Sequence, residues 1–282
     1  MRTQSLSAIR FGMLAVLLAF AFEAESRTRE ECERDYKPQS GQSGKDVIWM
    51  PTDDSLVVQM LDMAKVTPAD RVYDLGAGDG KIAITAAKQF GATAVGIEYN
   101  PDLVRFGQCL AEVAGVTGKV RIRQGDIFET DFSDATVVTL YLLPDLNLRL
   151  RPTLLNMKPG TRVVSHSFTM AEWEPDAQAS TDAGHAYLWI VPANVAGEWT
   201  FKGEQADEPF TVNLEQTFQQ LHGTAGASKA QLTGAKIQGP QVDFSFTDGG
   251  GQTRVAGRVN GDRIEAKVTR NGRTSSYTGT RT

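Results

Sequence analysis

Arg71-Val-Tyr-Asp-Leu-Gly-Ala-Gly-Asp-Gly-Lys81 is the stretch that decides the fold. Its apolar opening, Val72-Tyr-Asp-Leu75, runs into glycines at alternate positions, Gly76, Gly78 and Gly80. Ile82, Ala83, Ala86 and Ala87 follow at helical spacing. This order predicts a strand, a tight glycine turn and a helix. Glycine suits the turn because the backbone must approach a ligand closely and can adopt positive φ. The helix start behind it offers unpaired N–H groups.

The same alternation continues outward. Thr93-Ala-Val-Gly-Ile-Glu98 reads as a second strand ending in an acid, and Pro101 opens a helix with Leu103, Phe106, Leu110 and Val113 on one face. Val120–Gln124 is a third strand leading into Gly125-Asp126-Ile127-Phe128. Ala135–Leu142 is a β-branched run suited to a central strand covered on both faces. Pro144 stops it, and Leu146, Leu150 and Leu154 mark a helix. Arg162–Phe168 and His185–Val191 are later strands. Upstream, Thr52 is the expected N-cap of a helix with Leu56, Met60 and Ala64 on one side. Strands alternating with helices over residues 46–195 predict a parallel α/β sheet.

From residue 196 helical periodicity vanishes. Short alternating runs, such as Phe210–Leu214 and Val242–Phe246, are separated by hairpin signals at Asp248-Gly249, Asn260-Gly261 and Asn271-Gly272. Residues 196–282 are therefore expected as a small all-β domain, a barrel or a sandwich. Its last 30 residues hold seven Arg or Lys against two acids, which reads as a solvated face or as a docking surface for an acidic partner.

At the other end, Arg2 and Arg10 precede Phe11–Phe22, an apolar run shorter than the roughly 20 residues that span a bilayer. Residues 1–22 are expected to be a signal peptide or an anchor, and the polar, Gly- and Ser-rich residues 23–45 a linker. The chain is thus expected to be exported or anchored by its N-terminus, with a cytoplasm-facing form left open. The net charge of −5 over 282 residues gives no general attraction to nucleic acid or anionic membranes. Cys32 and Cys109 form no disulfide framework or metal motif. Export would allow them to pair; otherwise Cys109 is a packing residue. His185 and His222 lack neighbouring ligands, so no metal is expected.

Two ligand classes use a glycine turn after a first strand. A dinucleotide site wants G-x-G-x-x-G, but Lys81 stands where the third glycine would be. A P-loop would need Ser or Thr after the lysine, and Ile82 stands there. The pattern Asp74-x-Gly76-x-Gly78-x-Gly80 resembles instead the first motif of class I S-adenosylmethionine-dependent methyltransferases. That resemblance implies a Rossmann-like sheet and S-adenosyl-L-methionine as cofactor. Asp74 would meet the ammonium group, Glu98 the ribose hydroxyls, and Asp126 the adenine amino group, with Ile127 against the ring.

The match narrows over residues 46–176. Met50-Pro-Thr52, Ala94–Pro101, Leu142-Leu-Pro144 and Val163–Phe168 with Trp173-Glu-Pro175 are similar to one branch of these enzymes. It includes membrane-anchored mitochondrial protein-lysine methyltransferases acting on the c-ring protein of ATP synthase and on the adenine nucleotide carrier, and uncharacterised bacterial relatives. The resemblance places Thr52 near the methionine carboxylate and Asn100 near the ribose. It makes Tyr141, Leu142 and Pro144 the acceptor-side residues. It implies N-methylation of a protein lysine, with a membrane protein as context; separately, a monomer with no nucleic-acid partner is expected. His166, at the end of a strand, reads as a structural histidine or a base for the amine. Trp189 and Trp199 are expected packing anchors. Two further readings stay open: an envelope binding protein acting through its β domain, and a methyltransferase for a small molecule or lipid.

Overall fold

The computed structural model describes residues 27–204 and 208–282. The expected signal or anchor, residues 1–22, lies outside them. Among the described residues no helix is long and apolar enough to cross a membrane.

The first domain has helices α1 (Arg29–Asp35), α2 (Asp54–Met63), α3 (Lys81–Phe90), α4 (Pro101–Val113) and α5 (Pro144–Leu155). Its strands are β1 (Arg71–Leu75), β2 (Thr93–Glu98), β3 (Val120–Gln124), β4 (Val137–Leu140), β5 (Arg162–His166), β6 (Ala177–Thr181) and β7 (Gly184–Ile190). They form one sheet in the order β3-β2-β1-β4-β5-β7-β6. The first five strands run parallel, as the alternation predicts. β7 runs antiparallel to β5 and β6 antiparallel to β7, so the expected parallel sheet carries antiparallel pairings at one border. A short turn at residues 182–183, with no crossover helix, forces that reversal.

Both faces are covered. Val72, Val137 and Val164 pack with Leu56, Met60, Ile82 and Ala86 on one side. Tyr73, Leu75, Val138 and Leu140 pack with Leu146, Leu150 and Leu154 on the other. Double coverage explains why β1 and β4 are apolar without alternation. The strand order reverses between β1 and β4, and a crevice opens there at the carboxyl ends of the strands.

The expected linker is a correction. Over its described part it holds α1, whose Thr28 and Glu31 form a capping box. A hairpin follows, with Gly41 N donating to Trp49 O and Trp49 N to Gln42 O. Cys32 is bonded to Cys109 on α4, and both are buried among Phe106 and Leu110. Cys109 is thus both a packing residue and a crosslink.

The second domain contains β8 (Gly197–Gly203), β9 (Phe210–Thr217), β10 (Gln220–Ala225), β11 (Ala230–Gln231), β12 (Thr233–Gln238), β13 (Gln241–Asp248), β14 (Gly251–Asn260), β15 (Arg263–Arg270) and β16 (Arg273–Arg281). The two-residue β11 is an appendage on β10. The other strands close a ring, because β16 pairs with β8 and β9 with β10, all antiparallel. Of the two expected architectures it is the barrel. Trp199, Phe201, Phe244 and Phe246 fill its interior as a packed core. The domains touch where Ala193 N donates to Gly239 O at 2.8 Å and where the ring of Phe218 meets Trp173.

Candidate functional site

A cavity of about 260 Å³ lies over the carboxyl ends of β1, β2 and β4. The glycine turn forms its floor. Gly76 and Gly78 have φ of 80° and 56°, the left-handed region that glycine enters without penalty. A Cβ on Gly78 would stand 2.6 Å from Trp49 Nε1, and one on Gly76 2.9 Å from Leu142 Cδ2. Gly80 does not line the cavity; it is the left-handed N-cap of α3.

Glu98 closes the turn onto itself. Its Oε2 accepts from Gly78 N and its Oε1 from Asn100 N, both at 2.8 Å. Asp74 is buried, and its Oδ1 accepts from Thr139 Oγ1 at 2.8 Å. Burial, helped by the nearby charges of Asp79 and Glu98, pushes its carboxyl up to about 7. A buried carboxylate facing a cavity fits a cationic group such as an ammonium. Asp79 also lines the cavity, and burial raises its carboxyl too.

Asp126 and Ile127 lie at the rim. Asp126 Oδ1 accepts from Phe128 N at 2.9 Å, and Oδ2 pairs with Lys45 Nζ at 2.5 Å. The Lys45 bond, then that backbone N–H, hold its carboxyl below the usual value. Lys45 sits at the tip of the 41–49 hairpin with its Nζ 4.8 Å from the centre of the Tyr99 ring. The hairpin, with Trp49 over Gly78 and Lys45 at Asp126, roofs the cavity.

Thr52 lines the cavity, but it is not the cap expected from sequence; Asp53 caps α2 by accepting from Ser55 N. Thr52 Oγ1 instead lies 3.2 Å from His166 Nδ1, and Thr52 O accepts from Lys81 Nζ at 2.8 Å. Burial lowers His166 to about 4, so the ring is neutral near pH 7. It stacks on Tyr141 at 3.7 Å between ring centres. Its geometry suits support of Tyr141 better than proton uptake.

Tyr141 and Leu142 line the cavity, together with Leu143, Leu146 and Phe168. Pro144 does not; it is the first residue of α5. Asn100 is also outside the lining. Its Oδ1 caps α4, accepting from Asp102 N at 2.8 Å. Sequence reasoning missed Lys45, Trp49, Asp79 and Phe168. Trp49 is a large aromatic just before Met50-Pro-Thr52, the one signal that pointed to the roof. Among the described residues no group of His, Cys, Asp and Glu suits a metal ion.

The cavity thus joins a tight glycine floor to a buried acid, Asp74, and to two further acids, Glu98 and Asp126, along its length. Residues 74–177 match the ANTKMT methyltransferase domain. The chain is 45% identical over 151 residues to a protein-lysine N-methyltransferase of Saccharolobus islandicus (strain REY15A), covering 51% of this chain and 94% of that protein. It is 33% identical over 136 residues to the adenine nucleotide translocase lysine N-methyltransferase of Mus musculus, covering 48% of this chain and 59% of that one. A crystal structure described as an RNA methyltransferase from Salinibacter ruber in complex with S-adenosyl-L-homocysteine is 47% identical. It matches 56% of this chain and all of its own, with a TM-score of 0.51.

Proposed function

Because the chain belongs to the family of S-adenosylmethionine-dependent methyltransferases with the ANTKMT methyltransferase domain, we propose that its acceptor is the side-chain amine of a protein lysine. The likeness to the Saccharolobus enzyme along nearly its whole length carries this reading. The pocket rim supports an acceptor in apolar surroundings, such as a membrane protein. Ile48, Met50, Tyr99 and Leu143 are the exposed large hydrophobic side chains among the described residues, and all four lie around this cavity. Exposed apolar groups gathered at one mouth mark a contact surface.

The cofactor supplies a methyl group made electrophilic by its sulfonium. Asp74 would take the ammonium, Glu98 the ribose hydroxyls, and Asp126 with Ile127 the adenine end. Trp49 and the 41–49 hairpin exclude water from above. Tyr141 and Leu142 would hold the acceptor nitrogen in line, and His166, itself held by Thr52, braces Tyr141. A lysine amine has a reference pKa near ~10.4 and must be neutral to attack. Leu142, Leu146 and Phe168 desolvate it, which favours the neutral form, and the proton leaves to water. Positioning then does most of the catalysis.

The description of the Salinibacter relative supports a second acceptor, RNA. The acids Asp46, Glu98 and Asp126 along the cavity oppose a polyanion there. Extracts incubated with radiolabelled S-adenosylmethionine and the protein decide between them. Label recovered as methyl-lysine in a protein band supports the proposal; label confined to RNA, lipid or small molecules overturns it.

The Cys32–Cys109 bond supports residence in an oxidising compartment, in keeping with an exported chain. Rapid alkylation of intact cells tests this, with both cysteines protected until reductant is added; immediate labelling of both would reject it.

A further inference from the structure

The barrel reaches the segment behind the acceptor side of the cavity chiefly through one ring, that of Phe218. Phe218 sits at the tip between β9 and β10 with φ of 54°, a conformation that is costly for an aromatic residue. Gln216 Nε2 fixes that tip by donating to Phe218 O at 2.7 Å. The Phe218 ring leaves the barrel core and packs against the core of the first domain. It stacks on Trp173 at 6.2 Å and 19°, with the Arg151 guanidinium 5.6 Å from its centre. Beside it, Gln219 Nε2 donates to Glu174 O at 2.5 Å.

Trp173 and Arg151 hold the segment that follows β5. Arg151 Nη1 donates to Met170 O at 2.9 Å, and Trp173 N to Met170 O at 3.2 Å. The segment has two further non-glycine residues at positive φ, Ser167 (65°) and Ala171 (51°). Between them Phe168 N donates to His166 O at 2.8 Å, a tight turn that delivers the Phe168 ring to the cavity wall. There it stacks with Tyr141 at 6.5 Å. Strained residues persist where the surroundings over-determine them, and here three lie along one contact path.

We propose that the barrel acts as a clamp on the acceptor side of the pocket. Phe218 is a positioning residue that fixes the Ser167–Asp176 segment, and through Phe168 it sets the width of the channel for the incoming amine. This rests on the acceptor site proposed above. It assigns the barrel a part in methyl transfer, although the matched methyltransferase domain ends at residue 177.

The test uses the full chain with Phe218→Ala and Phe218→Tyr. Hydrogen exchange reads the peptide spanning 167–176, calorimetry reads S-adenosylhomocysteine, and methyl transfer uses poly-L-lysine as acceptor. In Phe218→Ala, exchange of that peptide rises about tenfold while the α3 peptide is unchanged. The acceptor KM rises about tenfold with cofactor affinity held within about twofold, since misplacement of a positioning group acts on the acceptor alone. Phe218→Tyr restores both. Unchanged exchange overturns the clamp, and so does faster exchange with an unchanged KM. If Phe218→Ala lacks the wild-type melting transition, Phe218→Leu is scored on the same two readouts. If the wild type leaves poly-L-lysine unmethylated, the lysine reading is at fault and exchange alone decides the clamp.

Discussion

Breaking the Cys32–Cys109 bond should cost stability out of proportion to the short helix it anchors. The bond closes 77 residues of chain. In the chain-entropy account a loop of that length loses about 15 cal/mol/K in the unfolded state, or about 4.5 kcal/mol at 25 °C. For a chain of this size that corresponds to a fall in Tm of about 10 °C. The bond also seats α1 on α4, with Tyr36 edge-on to Phe106 at 6.2 Å, and so anchors the strand of chain that becomes the 41–49 roof. Thermal melts of the oxidised protein, the fully reduced protein and the Cys32→Ser/Cys109→Ser variant measure the effect. Alkylation followed by mass measurement verifies the redox state of each sample. The reduced and doubly substituted proteins should melt together, well below the oxidised one. An unchanged Tm after complete reduction would refute the reasoning, as would native cysteines that alkylate without reductant.

Three other outcomes follow from the cavity. Glu98→Ala removes the acceptor for Gly78 N and the carboxylate proposed to accept from the ribose hydroxyls. Cofactor affinity measured by calorimetry should fall about 100-fold, from two charge-assisted bonds of about 1.5 kcal/mol each, and an unchanged titration would reject the assignment. Gly78→Ala drives a Cβ to 2.6 Å from Trp49 Nε1 and strains a left-handed residue by about 1 kcal/mol. Trp49 emission should shift and cofactor binding weaken, whereas two unaltered signals would remove Trp49 from the roof. Asp74 titrates near 7 and must be ionised to meet an ammonium, so affinity should be about eightfold tighter at pH 7.5 than at pH 6. Its native pKa is raised, so the folded chain holds a proton that the unfolded chain releases above about pH 4. Ligand-free stability from this group therefore falls as pH rises from about 4 to 7, and Asp74→Asn should flatten both profiles.

Much of the sheet and the cavity floor was legible because local chemistry fixes them. A glycine turn needs its glycines wherever the rest of the chain goes, and Asp74 and Glu98 follow directly from strand ends. What escaped was set by distant partners. Thr52 has the composition of a cap, but Asp53 takes that role and His166 claims the Thr52 hydroxyl. Asn100 sits next to the cavity but spends its side chain on α4. Residues 28–31 carried a readable capping box, masked by the polarity of Arg29–Asp35; only Cys32 is buried there, and its partner lies far along the chain. β6, Ala177–Thr181, has almost no apolar signal because it is an edge strand. β16 escaped because Gly279 must leave room for Phe201, its register partner on β8, so Tyr277 is left as the one large buried side chain of that strand.

The closure of the second domain limits how this molecule can meet others. The antiparallel strands of the barrel pair into a ring, with a single register pair, Gln220–Lys236, at the β10–β12 seam, so it offers a partner or a second copy little open edge for strand addition. Among the described residues the main sheet with open borders is the first, and they are guarded: β3 exposes Arg121 and Arg123, and β6 exposes Gln178 and Ser180. Contacts at the barrel therefore go chiefly through side chains on its outer wall or through its turns. A chain that must fold in company without sticking to its neighbours is well served by such borders.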